Sequence, residues 1–249
     1  MRFALPKYLL LFAVLSVKFG AVHAQAAMSI GPRVGASMST VSYKGSADNV
    51  EGTYSADYKV GGEAGLAAEI RWTHFAVQPS ILYSQRRYKL TDDHVENHGV
   101  ILHYVSQSDY RFNYLTLPIN LAYSLREDAQ GIQGFAGGYV SCLLGGQVKG
   151  NGYFDVTNVP SIPRSSYTID QPIEANNEFD RTTNTFYSKR YDYGFQAGIG
   201  YRYNRLLAQA AFSVGLANLG ASYTGNVSNP SYYNRTAQVY VVYNLLPSK

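Results

Sequence analysis

Cysteine is nearly missing from this chain of 249 residues: Cys142 stands alone. No intramolecular disulfide can form, so the fold is held without covalent staples. Long apolar runs are missing too. Beyond Ala24 nothing approaches the ~20 residues that a membrane helix needs, which excludes a helical membrane protein. Charge of one sign is also scarce. Lys and Arg number 21 against 17 Asp and Glu, but Arg2, Lys7 and Lys18 lie in an N-terminal segment that carries no acid. The remainder has eighteen basic and seventeen acidic residues, a net charge of +1. So small an excess argues against nucleic acid as a partner. Phosphate loops, paired-cysteine zinc sites and dinucleotide fingerprints do not occur, so no cofactor is expected.

What is present begins with an export signal. Arg2 and Lys7 form a basic start, Tyr8 to Val17 a short apolar run, and Val22-His23-Ala24 a cleavage site of small residues. The run is too short to span a bilayer. The expected organisation is a signal peptide over 1–24 and one barrel domain over 25–249.

The strongest internal pattern is Asn113 to Leu125, NYLTLPINLAYSL. Leu115, Leu117, Ile119, Leu121, Tyr123 and Leu125 share one face of a strand. Tyr114, Thr116, Pro118, Asn120, Ala122 and Ser124 share the other. About ten such residues cross a bilayer as a tilted strand, with the apolar face toward lipid. Eight stretches of this kind occur, near 29–39, 60–72, 75–88, 113–125, 134–147, 190–203, 206–216 and 236–246. In the sixth, Tyr191, Tyr193, Tyr201 and Tyr203 flank smaller residues, as interfacial aromatic girdles require. The fifth is glycine-rich. There Phe135, Tyr139 and Leu143 are expected on the outer face, with Val140 and Leu144 blurring the pattern. Pro32, Pro79 and Pro118 interrupt three strands, and local bulges would accommodate them.

The connections alternate in length. Thr73-His74, 126–133 and Asn204-Arg205 are short; 41–59, 91–108, 149–189 and 217–235 are long and polar. The reading is all-β: an eight-stranded antiparallel transmembrane β-barrel with long extracellular loops, located in the outer membrane. Parity alone leaves a soluble ligand-binding barrel open, in which the apolar face would point inward.

Tyr114-Leu115-Thr116-Leu117-Pro118-Ile119-Asn120-Leu121 resembles the YLxIPLLLKY strand of the PorT-like small outer-membrane β-barrel family of the Bacteroidota. Ile30-Gly31-Pro32-Arg33-Val34-Gly35 resembles that family's opening G-x-(K/R)-x-G strand, and Tyr191 to Tyr203 its glycine-aromatic strand. Leu117 replaces the usual Ile, and Asn120 and Ala122 depart from the pattern. The resemblance implies the barrel and no particular activity.

Inward parity gathers Arg33, Glu63, Glu69, Arg71, Arg86, Asp192 and Arg202 in the lumen. Side chains nearly fill an eight-stranded barrel, and buried charges must pair or meet water. Two readings follow: an ion-paired plug, or a selectivity ring in an open pore. His94, His98 and His103 share a stretch with Asp92, Asp93 and Glu96, but no helix is predicted to bring them onto a metal, and none is expected. His103 with Ser106 or Ser108 lacks a third orienting group, so no catalytic site is expected. Tyrosines and phenylalanines in 149–189 and 217–235 either recognise a partner or pack over the barrel mouth. The expected role is a structural or interaction anchor. Its partners are outer-membrane lipid and an envelope protein reached through periplasmic turns or extracellular loops. A narrow porin is the alternative.

Overall fold

The computed structural model describes residues 27–44, 50–97, 99–157, 162–180, 182–222 and 231–245; residues 1–24 lie outside them. It contains ten strands: β1 (Ala27–Lys44), β2 (Val50–Trp72), β3 (Phe75–Asn97), β4 (Ile101–Ser124), β5 (Gly131–Val156), β6 (Ser165–Ala175), β7 (Phe186–Ser188), β8 (Tyr191–Tyr203), β9 (Leu206–Gly215) and β10 (Ser231–Tyr243). Eight of them close a ring in the order β1-β2-β3-β4-β5-β8-β9-β10, with β10 back on β1. Every pairing in the ring is antiparallel. No helix among the described residues is long and apolar enough to cross a membrane. The chain crosses as a β-barrel.

The outer wall is apolar because it faces lipid. Ile30, Val34 and Met38 on β1, Leu117, Ile119 and Leu121 on β4, and Phe195 and Ile199 on β8 are all exposed. On β4 the exposed apolar band runs from Leu115 to Leu125. At about 3.3 Å per residue and a tilt of about 40°, that is about 25 Å of membrane. Tyr191 and Tyr193 mark one rim of the band on β8, and Tyr201 and Tyr203 the other. The inner face holds the polar set, the reverse of a soluble ligand-binding barrel.

Three details differ from the sequence reading. On β5, Phe135, Tyr139 and Leu143 point inward and are buried, while Ile132, Val140 and Leu144 face lipid. The reason lies on β8, whose inner face carries Gly194, Gly198 and Gly200. A side chain on Gly198 would collide with the Phe135 ring, its Cβ falling 2.5 Å from Phe135 Cζ. The bulk that β8 omits is supplied by β5. Second, the register shifts fall at Lys59/Glu63 and Asn113/Tyr114, not at the prolines. Around Pro118 the β3–β4 ladder lapses opposite Ser80 and Ile81, then resumes in unchanged register at Leu82. A missing N–H donor explains the lapse without a bulge.

Third, most of the long polar connections are strand. β2, β3, β4 and β5 run 23, 23, 24 and 26 residues, more than twice what a bilayer requires. Their upper halves rise as a sheet outside the membrane. β5 pairs with β8 from Gly131 to Cys142, then with β6 from Gly146 to Phe154. The result is a five-stranded wall, β2-β3-β4-β5-β6, on one side of the extracellular mouth. At the opposite end, His74 Nδ1 and the Ser124 carbonyl lie 2.9 Å apart and tie the tight Thr73–His74 turn to β4.

Candidate functional site

The seven inward charges all lie on barrel strands and all are buried. The structure sorts them into three tiers. At the periplasmic end Glu69 accepts from Arg202 and, at 2.8 Å, from Gln78 Nε2. Arg71 is beside them, its Nη1 4.0 Å from Glu69 Oε1 and without a hydrogen bond. In the middle, Arg33 donates to Glu63 Oε1 through Nη2 at 2.7 Å and Nε at 3.2 Å. Its guanidinium lies 3.4 Å above the centre of the Tyr240 ring. In the upper tier Arg86 pairs with Asp192 and donates to Ser141 Oγ at 3.0 Å. Asp192 also accepts from the Tyr139 hydroxyl at 3.1 Å and Asn234 Nδ2 at 3.0 Å. Arg86 sits near the Tyr114 and Tyr139 rings.

Amides knit the tiers together. Gln196 donates to Asn120 Oδ1 at 2.7 Å and Gln209 to Gln78 Oε1 at 3.2 Å. Two voids in this region, both bordered by Arg33, measure about 10 Å³ each. Each holds one water at most. Four arginines face three carboxylates, so the lumen carries one surplus positive charge, and Arg71 is the group least compensated.

Apolar side chains pack among the charged tiers and above them. Ala67, Ala76, Ala122, Phe135, Leu207, Ala211, Tyr240 and Val242 pack in the lower barrel. Above Arg86, Val41, Tyr88, Phe112, Tyr114, Leu143, Val148, Ile173, Ala217, Leu219 and Tyr232 form a second cluster. Leu219 belongs to the chain that follows β9. Its amide donates to the Tyr232 carbonyl at 3.1 Å, and its carbonyl accepts from Lys189 N at 2.9 Å. Phe186 stacks edge-on against Tyr110 and Phe112. These side chains stopper the mouth.

Sequence parity had assembled the charges but missed their neutral partners. Tyr240 was on an inward position and could have been found by completing the inner set of its strand; Ser141 shares the parity that had been assigned outward on β5, and Asn234 lay in a stretch read as loop. The stopper was hidden in stretches read as polar loops, although Ala217, Leu219 and Ala221 alternate there. Phe154, Phe186 and Tyr232 pack inward, so for them packing prevails over recognition. Tyr223 lies outside the described residues.

The histidine-acid stretch divides between two faces of the tall wall. His94 Nδ1 meets Asp92 Oδ1 at 2.7 Å, and His103 Nε2 meets Asp93 Oδ1 at 2.7 Å, on opposite sides. Burial raises the Asp92 carboxyl above its ordinary range, against the pull of His94. His98 lies outside the described residues. No cluster of three or more metal-ligating side chains occurs among the described residues. Ser106 and Ser108 share a parity opposite to that of His103, which separates them from it across β4.

Residues 23–220 match the family described as the outer membrane protein beta-barrel domain. Among solved structures, OprG from Pseudomonas aeruginosa is similar at 10% identity and a TM-score of 0.42, over 89% of this chain and 97% of that one. Neisserial surface protein A is similar at 12% identity and a TM-score of 0.32, over 85% and 96% respectively. No curated protein matches the chain.

Proposed function

The chain belongs to the outer membrane protein beta-barrel domain family, and from that premise we propose that it is a sealed, non-catalytic anchor in the outer membrane. In this reading the barrel holds the molecule in place and the tall extracellular sheet makes contacts in the cell envelope. The observation that carries the proposal is the filled lumen. Arg33–Glu63, Arg202–Glu69 and Arg86–Asp192 are paired inside it, and the cluster around Phe112 and Leu219 covers it. Opposite charges in low dielectric hold one another strongly, so such a column stays closed unless water enters.

Planar-bilayer recordings on refolded mature protein test this. Silence from barrels verified as folded by heat-modifiable migration is the expected result. Stable channels whose ion selectivity changes in Glu69→Gln or Arg71→Gln would reject the anchor reading in favour of a narrow porin. In that second reading the surplus arginine at the periplasmic end would make the pore prefer anions.

Two finer assignments belong to the same proposal. The export signal over 1–24 is inferred from its basic start, apolar run and small-residue cleavage site. Placement in the PorT-like branch of the Bacteroidota rests on the Tyr114–Leu121 motif. The periplasmic turns at Thr73–His74 and Asn204–Arg205 are two residues each, so the extracellular wall offers the larger surface to a protein partner.

A further inference from the structure

The outer face of the β2–β4 wall changes character in steps above the lipid band. Tyr83 and Leu115, cross-strand partners, are the last exposed apolar pair on β3 and β4. Above them come two amides, Gln85 donating to Asn113 at 3.3 Å. Next is a row in which Lys59, Arg87 and Arg111 lie directly opposite one another on β2, β3 and β4. One row higher, Asp57, Lys89, Asp109, Lys149 and Asp170 stand in register across five strands and alternate in sign without exception.

The upper row sets three acids against two lysines, whereas the lower row holds three cations and no acid. Like charges placed opposite one another in a sheet are destabilising. Lys59 finds relief in Asp109, 3.2 Å away in the row above. Among the described residues Arg111 donates only to the neutral Gln147, at 3.3 Å. Arg87 has no ion pair or hydrogen bond with another described residue. Two guanidinium groups thus stand side by side on an outward face with no acid engaged.

Their height identifies what meets them. Arg87 and Arg111 are each four residues above the end of the apolar band. At about 3.3 Å per residue and about 40° of tilt, that is about 10 Å above the hydrocarbon, just beyond a headgroup layer about 5–7 Å deep. Arginine and lysine stems can reach down from there while the charged heads meet polar groups. Guanidinium groups bind phosphate oxygens through paired N–H donors, so an anionic headgroup answers both the charge and the geometry.

We propose that Lys59, Arg87 and Arg111 form a docking site on the outside of the barrel for the phosphate groups of an outer-leaflet glycolipid. The site fixes the tall wall against the membrane surface. It is independent of whether the lumen conducts.

The test compares thermal unfolding of the mature protein in neutral phosphatidylcholine vesicles with and without purified bisphosphorylated lipid A. A ligand that binds only the folded state raises the midpoint. The wild-type midpoint should rise with bisphosphorylated lipid A. It should not rise with the dephosphorylated lipid, nor with inorganic phosphate added to neutral vesicles. The rise should shrink in Arg87→Gln and in Arg111→Gln, vanish in the double variant, and persist in Lys149→Gln. In neutral vesicles the arginine variants should be at least as stable as wild type, because a like-charge contact has been removed. An unchanged rise in the double variant would overturn the proposal, as would an equal rise with dephosphorylated lipid or with free phosphate. A lower midpoint of the single variants in neutral vesicles would assign these residues a purely structural role and overturn it too. Should the double variant not fold, the two single variants carry the same comparison.

Discussion

Asp192→Asn should be among the most damaging isosteric changes in this barrel. The carboxylate is 0% exposed and the Arg86 side chain 5%. Asparagine keeps the volume and one acceptor for Tyr139 or Asn234, so packing is nearly unchanged. What disappears is the negative charge that compensates Arg86. Removing one partner of a buried pair costs about 3–5 kcal/mol, because the other charge is left in low dielectric. Removing both relieves that penalty, so Arg86→Gln/Asp192→Asn should lie within about 2 kcal/mol of wild type, the shortfall being the void left by the shorter side chain. The double variant is therefore expected to be more stable than the Asp192→Asn single. Urea unfolding from lipid vesicles measures all three, read by gel migration and by Trp72, the one tryptophan in the chain. A double-mutant cycle isolates the pair if the slopes stay equal. A loss below about 1 kcal/mol for Asp192→Asn would mean that water reaches the upper tier. The seal on which the proposed function rests would fall with it.

The lipid band makes a depth prediction: Ile119→Arg, near the middle of the β4 band, should cost about 2–4 kcal/mol in vesicle unfolding, and Leu125→Arg at its edge about 0–1 kcal/mol. Equal losses would refute the placement of the band. At the top of the β5–β6 hairpin, Arg164 holds the Asp155 carboxyl below the usual carboxylate range through bonds of 2.6 and 2.8 Å. A depressed carboxyl adds stability above its unfolded value near 4 and loses it as pH falls through the folded value. Asp155→Asn should therefore speed protease nicking of this hairpin at neutral pH, and the difference from wild type should close in acid; a difference that persists below pH 3 would refute the linkage.

How much of this was legible depends on what surrounds each strand. Within the bilayer a side chain meets lipid or lumen, so alternation is sharp, and β4 and β8 could be read residue by residue. The same parity put Arg33, Glu63, Glu69, Arg71, Arg86, Asp192 and Arg202 inside before any partner was known. Pairing was not legible. Arg86 and Asp192 are 106 positions apart, and only the closed ring brings β3 and β8 onto a shared lumen. β5 failed for a related reason. Which of its faces carries the bulk depends on the glycines of β8, some 60 residues further on, and nothing local reports them.

Above the membrane the rule that made the wall readable lapses. Water bathes the outer face of the tall sheet, and the inner face meets other segments of the chain rather than a uniform medium. Residues such as Thr91 to Asn97 are strand because they continue a ladder begun in lipid, with Asp93 opposite Val105 and Glu96 opposite Leu102. Their polarity reads as loop. Cross-strand register then becomes the informative quantity. Lys59, Arg87 and Arg111 are unremarkable along the chain and become a cationic row only once β2, β3 and β4 are aligned. The alternation of Asp57, Lys89, Asp109, Lys149 and Asp170 one step higher shows that this wall sets opposite charges beside one another where water is the neighbour. The uncompensated row lies where the neighbour is a headgroup, and there the missing negative charge can come from the membrane itself.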